Sequence, residues 1–114
     1  MGKKKAAATP PTPPLPPQIF AAALGAQGSV VRGQPISQAQ AEARRRAGQD
    51  AVVCGPNLTA NRSLAGAIER NANGTAKRCP PHVNAGPLAL PHYQPDPRPP
   101  AGHTFYETPN RKAV

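Results

Sequence analysis

The sequence has few of the residues that build a large hydrophobic core. It contains no tryptophan, two phenylalanines and two tyrosines among its 114 residues. Its hydrophobic content is 38%, and much of that is alanine, which buries little surface. We therefore expect at most one domain, with a small core and marginal stability.

Acidic residues are also scarce, with only five Asp and Glu side chains in the whole chain. A carboxylate-held Mg²⁺ site normally gathers two or more of them, and the sequence shows no such cluster. This argues against metal-dependent nuclease chemistry. A glycine-rich phosphate loop and a Gly-x-Ser-x-Gly elbow are absent too, which removes two common catalytic motifs from consideration.

The sequence has no long apolar run. No segment approaches the roughly 20 apolar residues that a membrane-spanning helix needs. Lysines 3–5 resemble the start of a signal peptide, but prolines follow where an apolar region would be required. We therefore expect a soluble, monomeric protein that is cytoplasmic when made and has no contact with a membrane.

Cysteine is limited to Cys54 and Cys79. A disulfide between them is possible but nothing in the sequence requires it. Together with His82 and His92 they could supply a Cys2His2 zinc set, yet Cys54 has no second ligand nearby, whereas zinc sites usually show two close pairs. The favoured interpretation is two free thiols, with no metal ligand and no cofactor.

Proline, glycine and positive charge are plentiful instead. The chain has 17 prolines, 10 glycines and a formal net charge of +9. Such a composition is close to that of disordered segments. The charge excess favours binding to polyanions, so RNA, DNA or an acidic protein are the expected partners.

Local patterns divide the chain into a disordered Lys/Pro-rich segment (1–32), a small basic domain (33–110) and a flexible C-terminus (111–114). Ser37 and Gln40 form a capping-box pattern that predicts a helix up to Ala47. A β-branched run at 50–55 predicts a buried strand, and residues 56–74 a second helix.

Beyond Lys77 prolines rule out a long helix, and two short extended segments remain, Leu88–Gln94 and His103–Glu107. The pattern predicts an α+β domain of two helices plus a short antiparallel sheet. The proline-rich loop between the two segments is long enough to let them pair as antiparallel strands.

Histidine is confined to His82, His92 and His103. If the two extended segments pair, His92 and His103 approach one another across the ladder. Paired imidazoles suit general acid and base catalysis, and on RNA one would take the 2′-OH proton while the other protonates the leaving oxygen. No metal is required for that scheme. The alternative is that each histidine has only a structural role and hydrogen-bonds to groups of its own turn or loop.

Other side chains of this region could bind the substrate. Cationic side chains would neutralise the phosphate and aromatic rings would stack on a base. The candidates are Arg98, Arg78, Lys77, Tyr93, Phe105 and Tyr106.

Several segments resemble the C-terminal toxin domains of bacterial polymorphic toxins, the Rhs/YD-repeat group in particular: "ISQAQAEARRRAGQDAVVCG", "NRSLAGAIE", "PPH", "ALPHYQ" and "GHTFYE". The resemblance covers about residues 33–107. It implies a secreted antibacterial effector, delivered to a target cell and neutralised by a cognate acidic immunity protein. Many such domains are nucleases, often RNases, and the resemblance points to His92 and His103 as catalytic, with His82 third.

A second hypothesis involves no catalysis. The Lys/Pro-rich tail and the arginines at 44–46 would make the chain a basic adaptor that binds nucleic acid or a protein partner. Binding would then depend steeply on salt and show no turnover. A zinc-stabilised domain is a third alternative.

Overall fold

The computed structural model describes residues 16–82 and 85–114. Two α-helices, six β-strands and a short 3₁₀ helix at Ala26–Gly28 make up the described part. In chain order the main elements are β1 (Gln18–Leu24), β2 (Val30–Ile36), α1 (Gln38–Arg46), β3 (Ala51–Cys54), α2 (Leu58–Asn73), β4 (Lys77–Cys79), β5 (His92–Gln94) and β6 (Thr104–Tyr106).

All six strands belong to one sheet, in the order β2-β1-β3-β6-β5-β4. Neighbouring strands are antiparallel except β3 and β6, which run parallel with Val52 opposite Phe105. The predicted α+β class with two helices is therefore confirmed, and the sheet is larger than the short antiparallel one expected. The two predicted extended segments do pair, since His92 lies opposite Phe105 across β5 and β6.

The two helices cover the same face of the sheet. Ala41 of α1 and Ile68 of α2 are buried there against Val53 and Tyr106. The opposite face carries a second buried cluster that includes no helical residue: Ala22, Val30, Val52, Cys54, Leu90, Phe105 and Ala113. Strand side chains alternate between the faces, so β1, β3 and β6 contribute buried residues to both clusters.

Local capping signals fix both helices. The Ser37 hydroxyl accepts from the Gln40 N–H while the Gln40 side chain accepts from the Ser37 N–H, which is the predicted capping box. Asn57 caps α2, and Gly74 ends it at φ 83°, a left-handed conformation that glycine adopts readily.

The buried face of α2 is partly polar. Its fully buried apolar residues include Ala65 and Ile68. The face also buries Asn61 and Glu69, because both have polar partners inside the protein. Asn61 donates to the Gly55 and Glu107 carbonyls at 2.9 and 3.1 Å.

The folded domain begins earlier and extends further than the predicted 33–110. Residues 18–32, assigned to the linker on sequence, form β1 and the first part of β2. At the other end, the Val114 N–H donates to the Val30 carbonyl at 2.9 Å and Ala113 is buried. Gly25 and Gly28 belong to the hairpin connection between β1 and β2. The lysines and most prolines of the predicted tail, residues 1–15, lie outside the described residues.

A buried ion pair connects the helices to the proline-rich loop. Arg45 Nε donates to Glu69 Oε1 at 2.8 Å, with both side chains fully buried. Arg45 also donates to the Ala101 carbonyl at 3.0 Å, and the Thr104 hydroxyl donates to Glu69 at 3.0 Å. These bonds fix the backbone on both sides of His103.

Candidate functional site

The three histidines come together on the face of the sheet opposite α1 and α2. His92 begins β5, His103 directly precedes β6, and His82 follows β4. One ring nitrogen of each lies within 4.8 Å of those of the other two. The ring centroids of His92 and His103 are 4.6 Å apart, and those of His82 and His92 are 5.0 Å apart. We call this group the histidine site.

The histidine site is open to solvent on one side and closed on the other. His92 is fully buried, His103 is half-buried and His82 is exposed. The Phe105 ring packs against both His92 and His103, with centroid distances of 5.5 and 4.9 Å. A cavity of about 270 Å³ adjoins the site, and its lining is mainly apolar apart from His82 and His103.

Asp50 orients the imidazole of His103. Its Oδ1 lies 3.2 Å from His103 Nδ1 and accepts the His103 backbone N–H at 2.7 Å. Burial raises the pKa of Asp50, but the hydrogen bonds from His103 outweigh that effect and leave the pKa below its usual 3.8. Asp50 is therefore a carboxylate at neutral pH, and it favours a proton on Nδ1 of His103.

Sequence reasoning did not identify Asp50 as a site residue. Asp50 directly precedes β3 and His103 directly precedes β6, and these strands are parallel with Ala51 opposite Thr104. The two residues therefore meet at the same end of neighbouring strands. The only sequence signal was a single acidic residue before a buried strand, which becomes informative once the parallel pairing is known.

His92 is a neutral imidazole at physiological pH. Burial lowers its pKa to about 4, and the charges of His103 and His82 add to that effect. Its Nδ1 is 3.5 Å from the Leu90 carbonyl oxygen. Its Nε2 is buried without a hydrogen-bond partner among the described residues. A proton on Nδ1 leaves the lone pair of Nε2 free.

The tyrosines expected to bind substrate lie on the other face of the sheet. Tyr93 and Tyr106 pack together at 5.7 Å, on the helix side. Arg78 lies opposite Tyr93 across β4 and β5 and lines a cavity of about 420 Å³ with Tyr106. Strand alternation places residue 93 on the opposite side from His92. The structure therefore does not bring these three residues to the histidines.

The remaining predicted binding residues have mixed positions. Arg98 is exposed and donates to Gln94 Oε1 at 3.0 Å and to the Gly102 carbonyl at 3.2 Å, so it stabilises the loop that precedes His103.

Lys77 is exposed on the edge strand β4, opposite Gln94. Phe105 is buried beneath the histidines, so it forms the floor of the site and is closed to a stacking base.

The cysteines take no part in the site. Cys54 and Cys79 are both free thiols. Burial raises the pKa of Cys54 to about 12, and the nearby Glu107 carboxylate adds to the effect. Among the described residues, the group that could hold a metal consists of histidines alone, which differs from the Cys2His2 set considered on sequence.

Each of the three consecutive arginines of α1 has a different environment. Arg45 is the buried partner of Glu69, while Arg44 Nε donates to the Asp50 carbonyl at 3.0 Å. Of the three, only Arg46 is exposed, so only one arginine at this helix end is available to bind a polyanion.

Neither α1 nor α2, the helices of the described part, has the length and apolar character needed to cross a membrane.

Comparison of the chain with protein-family models, with curated proteins and with solved structures gave no match.

Proposed function

We propose that this protein is an effector domain that cleaves phosphodiester bonds in RNA at the histidine site. The observation that carries the proposal is the His103–Asp50 pair beside the exposed His82 in one pocket. An imidazole held by a carboxylate is the arrangement that increases imidazole basicity in many hydrolytic sites. The net charge of +9 attracts a polyanionic substrate to the chain.

The roles of the histidines follow from their surroundings. His92 is buried and neutral, so it cannot protonate a leaving oxygen at neutral pH. His103, held by Asp50, is the side chain best placed to activate a nucleophile. His82 is exposed and is the histidine that an incoming phosphate meets first. The pair His92 and His103, expected from the sequence to act as acid and base, is revised accordingly.

The distances between the histidine ring nitrogens argue against a general acid and a general base on opposite sides of the phosphorus. An acid and a base on opposite sides of a phosphorus each need a hydrogen bond of about 2.6–3.2 Å, with the two reacting oxygens between them. Ring nitrogens that all lie within 4.8 Å of one another are closer than such an arrangement requires. The spacing therefore favours His103 as the single base, with His82 in contact with the phosphate.

Cleavage of a fluorescent RNA by the purified chain tests this proposal. We expect His103→Ala and His82→Ala each to lower the rate at least 100-fold, while Arg46→Ala, an exposed arginine of α1, leaves it unchanged. Expression in bacteria gives a second readout, in which the wild type slows growth and both histidine variants do not. If wild type and variants are equally harmless and none cleaves RNA, the proposal is wrong.

One observation favours a second candidate function, a basic adaptor. Arg62 lines two cavities on the helix side, one with Arg78 and Tyr106 and the other with Arg70 and Tyr93. Its Nε is buried without a partner among the described residues. Cationic and aromatic groups together suit single-stranded nucleic acid.

The two functions differ in turnover. An adaptor would bind RNA without cleaving it, and Arg62→Ala and Arg78→Ala would each weaken binding and reduce its salt dependence. Removal of residues 1–15 separates the contribution of the tail, because β1 starts only at Gln18. The nuclease is expected to keep its cleavage activity after that truncation.

A further inference from the structure

We propose that His82, His92 and His103 form a three-ligand site for one divalent transition-metal ion, with Zn²⁺ the best match. The proposal goes beyond RNA cleavage, since binding of the ion requires no substrate. Four observations on the described residues lead to it.

The first is distance. Zinc binds histidine nitrogen at about 2.0–2.1 Å, so tetrahedral ligands lie about 3.4 Å from one another. The three ring nitrogens of the site already lie within 4.8 Å of one another. Rotamer adjustments that move each nitrogen by less than about 1 Å bring them to one ion, given those bond lengths. His82 is exposed, so its ring is free to make the largest adjustment.

The second is the unpartnered nitrogen of His92. Its Nε2 is fully buried and has no hydrogen-bond partner among the described residues. Buried polar groups are nearly always satisfied, so such a nitrogen needs an explanation. The Leu90 carbonyl lies 3.5 Å from the other ring nitrogen and favours its protonation. The lone pair of Nε2 is then available to a metal, and one ring nitrogen from each of the three histidines lies within 4.8 Å of the others.

The third is the support of His103 by Asp50. Metal-binding histidines usually donate their second ring N–H to a carboxylate or a backbone carbonyl, which fixes the ring and makes it a better ligand. Asp50 provides the carboxylate for His103 at 3.2 Å, and Leu90 provides the carbonyl for His92. Both supporting groups face Nδ1, so both histidines present Nε2 to the ion.

The fourth is the donor set, which selects the metal. Three neutral imidazoles suit Zn²⁺, Co²⁺, Ni²⁺ or Cu²⁺, whereas Mg²⁺ and Ca²⁺ prefer oxygen ligands. Three protein ligands leave a fourth position for water, as catalytic zinc sites do. That position opens toward solvent and the adjoining 270 Å³ cavity beside His82 and His103.

A bound ion would define the chemistry of the site, and this part of the inference rests on the proposed function. Zinc lowers the pKa of its bound water to about 7. With all three imidazoles on the ion, His103 would act as a ligand in place of a free base. The zinc-bound hydroxide would attack phosphorus, an oxygen–phosphorus bond would form, and the bond to the leaving ribose oxygen would break as that oxygen takes a proton from water. The nucleophile is water, so the RNA 2′-OH is not consumed and no 2′,3′-cyclic phosphate forms.

Metal titration of the purified full-length chain tests the site. We expect one equivalent of Co²⁺ per chain, with the intense visible absorption of tetrahedral cobalt, and its displacement by one equivalent of Zn²⁺. His82→Ala, at an exposed position, should weaken zinc binding at least tenfold. Cys79→Ser is the matched control and should bind as the wild type does. Absence of stoichiometric binding, or equal loss in Cys79→Ser and His82→Ala, overturns the proposal.

Two assays on the same preparation separate the site from the function. Zinc binding without RNA cleavage would leave the metal site standing and overturn the nuclease. RNA cleavage by protein stripped with EDTA, at the rate of the zinc-loaded protein and with cyclic-phosphate products, would keep the nuclease and overturn the catalytic role of the ion.

Discussion

His103 and Asp50 are joined by two hydrogen bonds to the same carboxylate oxygen, one from the His103 backbone N–H at 2.7 Å and one involving the imidazole Nδ1 at 3.2 Å. The backbone bond holds the start of β6 beside the start of β3. The side-chain contact sets the direction of the ring. One carboxylate therefore positions both the strand and the imidazole that it carries.

Replacement of Asp50 by asparagine separates these two effects. The amide oxygen of Asp50→Asn can still accept the backbone N–H, so we expect the fold to persist. Loss of the charge weakens the support of the imidazole, and we expect zinc affinity and cleavage rate each to fall 10–100-fold. Calorimetric titration and the RNA assay measure the two effects. Unchanged values for both would show that Asp50 only holds the strand.

Arg45→Met tests the buried ion pair. The substitution leaves the Glu69 carboxylate buried without its partner, and we expect unfolding free energy to fall by about 3–5 kcal/mol. Urea unfolding followed by circular dichroism measures it. Arg46→Met is the matched control on the same helix and should stay within about 0.5 kcal/mol of wild type, because Arg46 is exposed. Equal effects from the two arginines would contradict the prediction.

The pKa of His92 predicts how stability depends on pH in the metal-free protein. In the folded state this pKa is about 4, against 6.5 for an ordinary histidine. Between these values the unfolded chain binds a proton that the folded chain does not. The unfolding free energy therefore falls as pH drops from 6.5 to about 4, by about 3 kcal/mol in all at 1.36 kcal/mol per pKa unit.

Urea unfolding in EDTA at several pH values between 4 and 7 measures this effect of His92. His92→Gln, which does not titrate, should show a flatter profile over the same window. The lowered pKa of Asp50 adds a further loss of stability, but only below its ordinary value of 3.8. Parallel profiles for wild type and His92→Gln would be inconsistent with a buried neutral His92.

The cysteines predict a simple thiol count. Cys54 is buried and its pKa is raised to about 12, so its thiolate is almost absent at pH 8. Cys79 is only half-buried. We expect Ellman's reagent to detect one fast thiol in the native protein and two after unfolding, and none quickly in native Cys79→Ser. Two fast thiols in the native wild type would contradict this assignment.

Local signals allowed the helices and the C-terminal strand pair to be predicted. The capping box of Ser37 and Gln40 requires only four consecutive residues, and Gly74 marks the end of α2 in the same local way. The strands around His92 and His103 were evident because prolines leave few other extended segments. These features are determined by residues that are close in sequence, so local sequence patterns are enough to predict them.

The hairpin of β1 and β2 was missed because its stability comes from distant partners. Its sequence is rich in alanine and glycine and has little strand preference of its own. Pairing of Ile19 with Val53 places β1 beside the buried strand β3, so tertiary pairing overrides a weak local signal. The position of Tyr93 on the far side of the sheet from His92 was predictable, since adjacent strand residues face opposite ways.

The parallel pairing of β3 and β6 also determines when the histidine site can exist during synthesis. Asp50 leaves the ribosome more than fifty residues before its partner His103, and β3 has no neighbour on that side until β6 is made. Pairings of such sequence separation form slowly because a long loop must close first. A nascent chain that ends before β6 therefore lacks the histidine site, which forms only when a nearly complete domain closes around β3.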